Sequence, residues 1–355
     1  MGTDKDTLFG IKLSPISQRR LQSFRNNRRG FWSLRIFILL FGLTLLAEVL
    51  ANDKPVLIFF DDKPYFPIVQ ALPETTFGGE FETETDYHDP FVKNLILEKG
   101  WMIWPPVQYN HKTVAFDLPT PAPSPPDSNH WLGTDDQARD VVARLVYGMR
   151  ISIIFGLLLT AISALVGVTA GAIQGYFGGM LDLVAQRFIE IWSGLPTLYI
   201  LIIVSSVLVP SFWTLLGILM LFSWVGFVGV VRAEFLKVRN FDYIRSAKAL
   251  GVSDLVIMYR HILPNAMVAT LTFLPFTLTA SITALTSLDF LGLGLPAGSA
   301  SLGELLAQGK ANLQAPWLGA TAFISLAFML SLLVFIGEAV RDAFDPRKLF
   351  NGGRS

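Results

Sequence analysis

Four stretches of this chain, residues 151–173, 211–231, 265–288 and 317–337, carry no charged side chain at all. A run of about 20 apolar residues at 1.5 Å per residue crosses the ~30 Å hydrocarbon layer of a bilayer. Lipid offers no partners for backbone N–H and C=O groups, so such runs must be helical. The fold class to expect is therefore an all-α integral membrane protein. Two further segments fit less cleanly. Residues 181–209 begin with Asp182, Arg187 and Glu190 before turning apolar, and residues 31–51 hold Arg35 and Glu48 near their ends, within reach of headgroups. Together these give about six transmembrane helices. Only 16% of the 355 residues are charged, against about 25% in a soluble domain, which leaves too much apolar surface for a single water-soluble core.

Composition also removes several functions. The formal net charge is zero, so no general affinity for nucleic acid is expected. Cysteine is absent, which excludes disulfides, thiol nucleophiles and thiolate metal sites. The four histidines, His88, His111, His130 and His261, are scattered, with no metal-ligand cluster among them.

Charge distribution orients the chain. Arg19, Arg20, Arg25, Arg28 and Arg29 precede the first apolar run. A cleaved signal peptide is the rival reading of that arrangement, but a tail of roughly thirty residues is long for one, and an uncleaved anchor is expected instead. The positive-inside rule then keeps residues 1–30 in the cytoplasm as a tail ahead of the first helix, 31–51. Six crossings return the tail 339–355, with Arg341, Arg347 and Lys348, to the same side. They also place the loop 232–264, with Arg232, Lys237, Arg239, Arg245, Lys248 and Arg260, there.

Residues 52–130 form an extracytoplasmic insertion. Residues 55–60 and 113–118 read as strands, 119–126 as an extended proline-rich spacer, and Phe59, Phe60, Tyr65, Phe66, Trp101, Trp104 and Tyr109 as material for a small packed cap or an exposed substrate groove. In 131–150, Asp140, Arg144 and Tyr147 recur at helical spacing, which describes an amphipathic interfacial helix before a five-helix core, 151–338.

The loop reads RNFDYIRSAKALGVSDLVIMYRHILPN over residues 239–265. Asn240 or Asp242 can cap a helix whose Ile244, Ala247 and Leu250 share a face. Gly251 fits a left-handed stop, Ser253 can cap a second short helix, and Pro264 ends it. The small Ser246 and Ala247 would let another surface approach closely. From the residues alone this is a docking element or an ordinary amphipathic loop.

The stretch resembles the coupling loop of binding-protein-dependent ABC permeases, whose pattern is Glu-Ala-Ala, three residues, Gly, nine residues, then Ile-x-Leu-Pro. Arg245, Ser246 and Ala247 take the first three places, Gly251 follows, and His261, Leu263 and Pro264 close it. Arg245, Ser246 and His261 depart from the pattern. The ending HILPN is similar to the dipeptide and oligopeptide branch, as are WLGTDDQARDVVARLVYGMR, TSLDFLGLGLP and GEAVRDAFDP elsewhere, although Ala138 stands where that branch has Gly. RRGFWSLRIFILLFGLTLLAEVLANDKP and the long insertion most resemble the second permease subunit of Yej-type importers of peptides and microcin C.

The resemblance implies a type I ABC importer permease fold in a bacterial inner membrane. It also implies a second homologous permease subunit sharing the pathway, cytosolic ATPase domains docking on Asp242, Arg245, Ser246, Ala247, Gly251, His261, Leu263 and Pro264, and a periplasmic solute-binding protein. ATP and Mg would be hydrolysed by those partners, and this chain would bind no cofactor. Its nearest imitation of a phosphate-binding loop, around Gly303, Gly309 and Lys310, has the wrong spacing and Ala311 in place of a hydroxyl. The alternative is an ion-coupled secondary transporter, for which Asp182, Arg187 and Glu190 would have to supply the ion site. An intramembrane hydrolase finds no catalytic pair, Ser205 and Ser206 reading as helix-packing residues. Pro196 and Pro275 suggest kinks.

Overall fold

The computed structural model describes residues 14–345 and a two-residue pairing of β1 (Thr7–Leu8) with β2 (Ile11–Lys12). Helices α1 (Pro15–Asn26), α2 (Arg28–Leu45) and α3 (Ala47–Leu50) lead into an insertion containing β3 (Leu57–Phe60), β4 (Lys63–Tyr65), α4 (Pro90–Lys99) and β5 (Gly100–Ile103). The rest is helical: α5 (Val141–Phe177), α6 (Gly179–Ser193), α7 (Thr197–Val207), α8 (Phe212–Ser223), α9 (Val225–Val238), α10 (Asp242–Ala249), α11 (Asp254–Val256), α12 (Leu263–Phe290), α13 (Leu302–Ala311) and α14 (Pro316–Phe344).

Among the described residues, four helical stretches are long and apolar enough to cross a membrane: Val141–Phe177, Phe212–Val238, Asp254–Phe290 and Pro316–Phe344. Each carries one of the four uncharged runs, the second from Phe212 onward because Ser211 caps its helix. At 1.5 Å per residue the 37 residues of α5 extend about 55 Å, well beyond the hydrocarbon layer. The segment 181–209 is not one straight span. Helices α6 and α7 meet at 69°, because Pro196 has no N–H to give and biases the residue before it away from helical backbone. Counting that bent pair as one span gives five. The 18 residues of α2 include Arg28, Arg29 and Arg35, and by length and composition α2 does not join the other spans.

The chain divides into two compact units, one drawn from residues 1–38, 155–284 and 328–355, the other from 39–154 and 285–327. In the second unit the insertion builds its own core. Strand β3 lies between β4 and β5, antiparallel to both, with Ile58 opposite Tyr65 and Met102. Alternate β3 residues are buried, as period-two side chains on a one-sided sheet must be. Ile58, Phe60, Phe77, Tyr87, Val92 and Ile96 close the core, with Phe77 edge-on to both Phe60 and Tyr87. Phe60, Tyr65 and Trp104 pack in or against it, whereas Phe66 and Trp101 are about half exposed. The expected strand 113–118 does not form; Val114 makes only an isolated bridge to Arg139. The proline-rich stretch is fastened rather than free, since Ser124 N–H donates to Thr134 Oγ1 at 2.9 Å and Thr134 N–H returns a bond to Ser124 O at 2.9 Å.

Residues 131–150 are not a separate interfacial helix. The part before Val141 is a loop, and α5 starts only where Asp140 Oδ1 accepts the Ala143 N–H at 2.9 Å. A carboxylate in that position satisfies a free N-terminal donor and sets where the helix begins. From there α5 continues into the apolar run without a break.

Candidate functional site

Helix α10 is amphipathic and sits against its unit by one anchor. Ile244 is 1% exposed and packs with Tyr176, Val231, Phe235, Ile257 and Ile262. Asp242 opens the helix in its first turn, but Phe241 is the capping residue and makes no side-chain bond, so neither Asn240 nor Asp242 caps it. Asn240 instead donates back to Leu236 O. The C-terminal end is built as the spacing suggests. Gly251 has φ +77°, its N–H bonds Lys248 O at 3.0 Å, and the Val252 N–H bonds Ala247 O at 3.1 Å. This is a Schellman motif, completed by the apolar contact its geometry favours, because Ala247 and Val252 pack against the same cluster.

Pro264 does not end the second helix. Residues Ile257–Ile262 widen into a π-helix and the chain then runs straight into α12. A proline cannot donate to the carbonyl four residues back, and a wider turn just ahead of it lets the helix pass. Ser253 caps α11 by position without a side-chain bond. Of the eight positions singled out in the sequence, Asp242, Arg245, Ser246, Gly251 and Pro264 are exposed, whereas Ala247, His261 and Leu263 are half-buried. The small side chain of Ala247 is thus used partly within the unit.

What the sequence reading missed is the apolar surface around them. Leu250 is 83% exposed, Leu255 78% and Tyr259 76%, flanked by Phe241, Tyr243 and Val256. Large apolar side chains so grouped are the kind of surface that a protein or lipid contact covers. Arg245, Lys248 and Arg260 are exposed among them. The signal available in the sequence was that Leu250 and Leu255 flank the turn and cannot both face inward.

The segment is tied to α5. Arg239 donates to the carbonyls of Gly175 and Tyr176, both at 3.2 Å, placing a cation on the free acceptors at the C-terminal end of that helix. Tyr176 hydroxyl bonds Asp254, and Lys248 lies 4.9 Å over the Tyr176 ring. Along the same helix Gly167, Gly171 and Gly175 face α9 and the residue before it. A Cβ on them would stand 2.4 Å from Trp224 O, 2.7 Å from Val228 O and 2.5 Å from Phe235 Cβ. This G-xxx-G-xxx-G ladder, legible in the sequence but not picked out from it, lets the two backbones approach as membrane helices do through small residues. Asp182 accepts a two-pronged bond from Arg232 at 2.5 and 2.7 Å, and Arg187 pairs with Glu190 at 2.6 Å. The three charges weighed as an ion site are therefore engaged in salt bridges.

The second unit holds a buried ionic network. Arg139 bonds Asp135 at 2.7 Å and Glu304 at 3.0 Å, while the fully buried Arg144 reaches Glu304 at 2.7 Å, Ser299 O at 2.9 Å and His111 O at 3.3 Å. His130 Nδ1 and Asp140 Oδ2 are 2.8 Å apart, both buried. Arg144 and Glu304 thereby clamp the start of α5 to α13, with the 131–140 loop held between. Burial, reinforced by Lys112 and Arg144, holds the His111 imidazole down to about 4, so it is neutral. Burial and the Asp135 charge raise the Asp136 carboxyl.

Among the described residues, no three His, Asp or Glu side chains are placed to share a metal ion. Gly303, Gly309 and Lys310 lie within α13, which Ser301 caps, and Gly309 packs against Gly319, so they form a packed helix rather than a loop around a phosphate.

Residues 167–349, which include the glycine ladder and the whole of 239–265, match the family described as binding-protein-dependent transport system inner membrane component. The chain is 60% identical over 337 residues to the inner membrane ABC transporter permease protein YejE of Escherichia coli (strain K12), covering 95% of this chain and 99% of that one. It is 58% identical over 361 residues to the peptidoglycan transport system permease protein YejE of Agrobacterium fabrum, covering 95% and 94%. The dipeptide transport system permease protein DppC of Bacillus subtilis is 34% identical over 225 residues, or 63% of this chain and 70% of that protein.

Proposed function

The chain belongs to the binding-protein-dependent transport system inner membrane components, and from that premise we propose that it forms part of a pathway for peptides or peptide-like conjugates, docking a cytosolic ATPase through residues 241–264. The observation that carries the docking is the exposed Leu250, Leu255 and Tyr259 surface on an element whose other face is anchored by Ile244 and whose base is tied to α5 by Arg239. An apolar centre with basic residues at its edge is how a protein interface is built. Asp242, Arg245, Ser246, Gly251 and Pro264 lie on its exposed side, with Ala247, His261 and Leu263 supporting them from beneath.

In this reading the ATPase domains, fed with ATP and Mg, move the docking segment as they close. The glycine ladder transmits that movement to α5, since backbones in contact cannot slide independently. A second, homologous permease completes the pathway, and a soluble binding protein delivers cargo. With α2 and α3 taken as a sixth crossing ahead of the other five, the termini and the docking segment face the cytoplasm and the insertion lies on the opposite side. Each ligand shifts the assembly only by its differential affinity for the two states. This chain supplies no nucleotide site or catalytic group. Peptide cargo is supported by the relatives' printed names, which include dipeptide and peptidoglycan transport systems; microcin C-like conjugates are a finer case of the same class.

The test is ATP hydrolysis by the complete assembly in proteoliposomes with its binding protein. Peptides should stimulate it; stimulation by another ligand class and not by peptides would overturn the cargo assignment.

A further inference from the structure

Helix α1 takes no part in the docking segment. Ser14 accepts the Ser17 N–H at its start, proline occupies its first turn, and Arg19, Arg20 and Arg25 lie along it. Between residues 14 and 45 the sequence contains six arginines, at 19, 20, 25, 28, 29 and 35, and no acidic residue. Arg19, Arg25, Arg28 and Arg29 are exposed, and no ion pair among the described residues includes them. Ile16 is 60% exposed and Trp32 56%, with Arg35 lying 4.2 Å over the Phe31 ring and 5.2 Å over Trp32. Basic side chains interleaved with exposed apolar ones suit the surface of a membrane rather than open water.

Beneath this surface is a cavity of about 410 Å³, walled by Leu21 and Phe24 of α1 and by Leu271, Val340 and Phe344. Arg20 stands at its edge. The guanidinium lies 4.6 Å over the Phe344 ring, and its Nε is buried with no hydrogen-bond partner. A buried donor of a charged group without an acceptor is costly, and a missing anion removes the cost.

We propose that this cavity is a binding site for an anionic phospholipid, with an acyl chain along the apolar wall and the phosphate accepting from Arg20. The surrounding arginines concentrate such lipids, each basic residue near an anionic surface raising affinity about fivefold. The chain's own last ten residues are a poor occupant, because they carry Arg347, Lys348 and Arg354 and no acid, the same sign of charge as the site. A free phosphate ion would leave the apolar wall unused.

The test is native mass spectrometry of the full chain in its assembly, purified in mild detergent and offered equal amounts of phosphatidylglycerol and phosphatidylethanolamine. Phosphatidylglycerol should be retained about tenfold over phosphatidylethanolamine, because the ethanolamine ammonium competes with Arg20 for its own phosphate whereas phosphatidylglycerol keeps a net charge that Arg20 and the surrounding arginines attract. Arg20→Ala should lower that preference about fivefold, to what the surrounding arginines alone sustain, and Arg20→Lys should keep most of it. Val340→Trp, which fills the cavity with every arginine in place, should lose the lipid. Lys63→Ala in the insertion should change nothing. Equal retention of the two lipids by the native chain would overturn the site, as would full retention by both Arg20→Ala and Val340→Trp. Displacement of the lipid by inorganic phosphate alone, or increased lipid binding after removal of residues 346–355, would also overturn it.

Discussion

Substituting Gly251 separates a local strain from a failure of folding. The residue has φ +77°, and a Cβ built there meets nothing within 4 Å, so a side chain is opposed by backbone conformation alone. For an L-residue that costs about 1–2 kcal/mol, more for a β-branched one and least for asparagine. A chain that escapes the strain must give up the Gly251 and Val252 bonds of the Schellman turn, each worth about 1 kcal/mol. The two costs are comparable, so the correctly turned segment falls from nearly the whole population towards about half of it, and below that for a β-branched side chain, since 1.4 kcal/mol is a factor of about ten. Ile244 and the helices beneath it are untouched, so membrane abundance should stay normal. Gly251→Asn, Gly251→Ala and Gly251→Val should therefore show a graded loss of ATPase co-purification and of uptake at constant abundance. If Gly251→Val assembles and transports as the native chain does, the left-handed turn plays no part in coupling.

Four further outcomes follow from the same geometry. Gly171→Leu, driven into Val228 O, should part α5 from α9 and abolish assembly, while Gly229→Leu, with nothing within 4 Å, should be tolerated; size-exclusion profiles distinguish them. Arg144→Met leaves Glu304 and Asp135 with Arg139 as their one shared cation and should cost about 3 kcal/mol, the low end for a broken buried pair because Arg139 remains and Glu304 keeps 25% exposure, read as increased proteolysis of the insertion. His111 binds a proton near 6.5 when unfolded and near 4 when folded, so the unfolded state gains protons first on acidification; protection of the insertion should fall as pH drops from 6.5 towards 4 and stay level above 6.5. In a chain without native cysteine, a thiol at Phe116, 95% exposed, should react with an impermeant maleimide from the periplasmic side, and one at exposed Asn240 only after the membrane is opened; the reverse order would invert the proposed topology.

The membrane spans were legible because an uncharged run of twenty residues has few other fates. The turn at Gly251 was legible for a similar reason: a glycine between two short helical patterns has a specific backbone use. The errors came where side chains compete with the backbone pattern. Spacing alone made Asp140, Arg144 and Tyr147 one amphipathic face, whereas Asp140 caps α5 and Arg144 is buried against Glu304, a residue 160 positions away. No local pattern reveals such a partner. Pro196 and Pro264 had opposite effects, a 69° break and a π-turn that lets the helix continue. The difference lies in what precedes them: Gly194 and Leu195 form a bend rather than a helix, while Ile257, Met258, Ile262 and Leu263 pack against a core that holds the chain in line. The glycine ladder was available as a motif, and only the facing helix gives it meaning.

The claim that matters most is that residues 241–264 join this chain to an ATPase that drives peptide uptake. It is tested by replacing Leu250, Leu255 and Tyr259 together with aspartate and measuring ATP-dependent uptake of a labelled peptide into proteoliposomes holding the complete assembly. All three side chains are exposed, so the variant should insert at native abundance and keep its permease partner. Uptake should fall to background together with ATPase co-purification. Native uptake by a variant that still carries all three aspartates would contradict the docking surface outright.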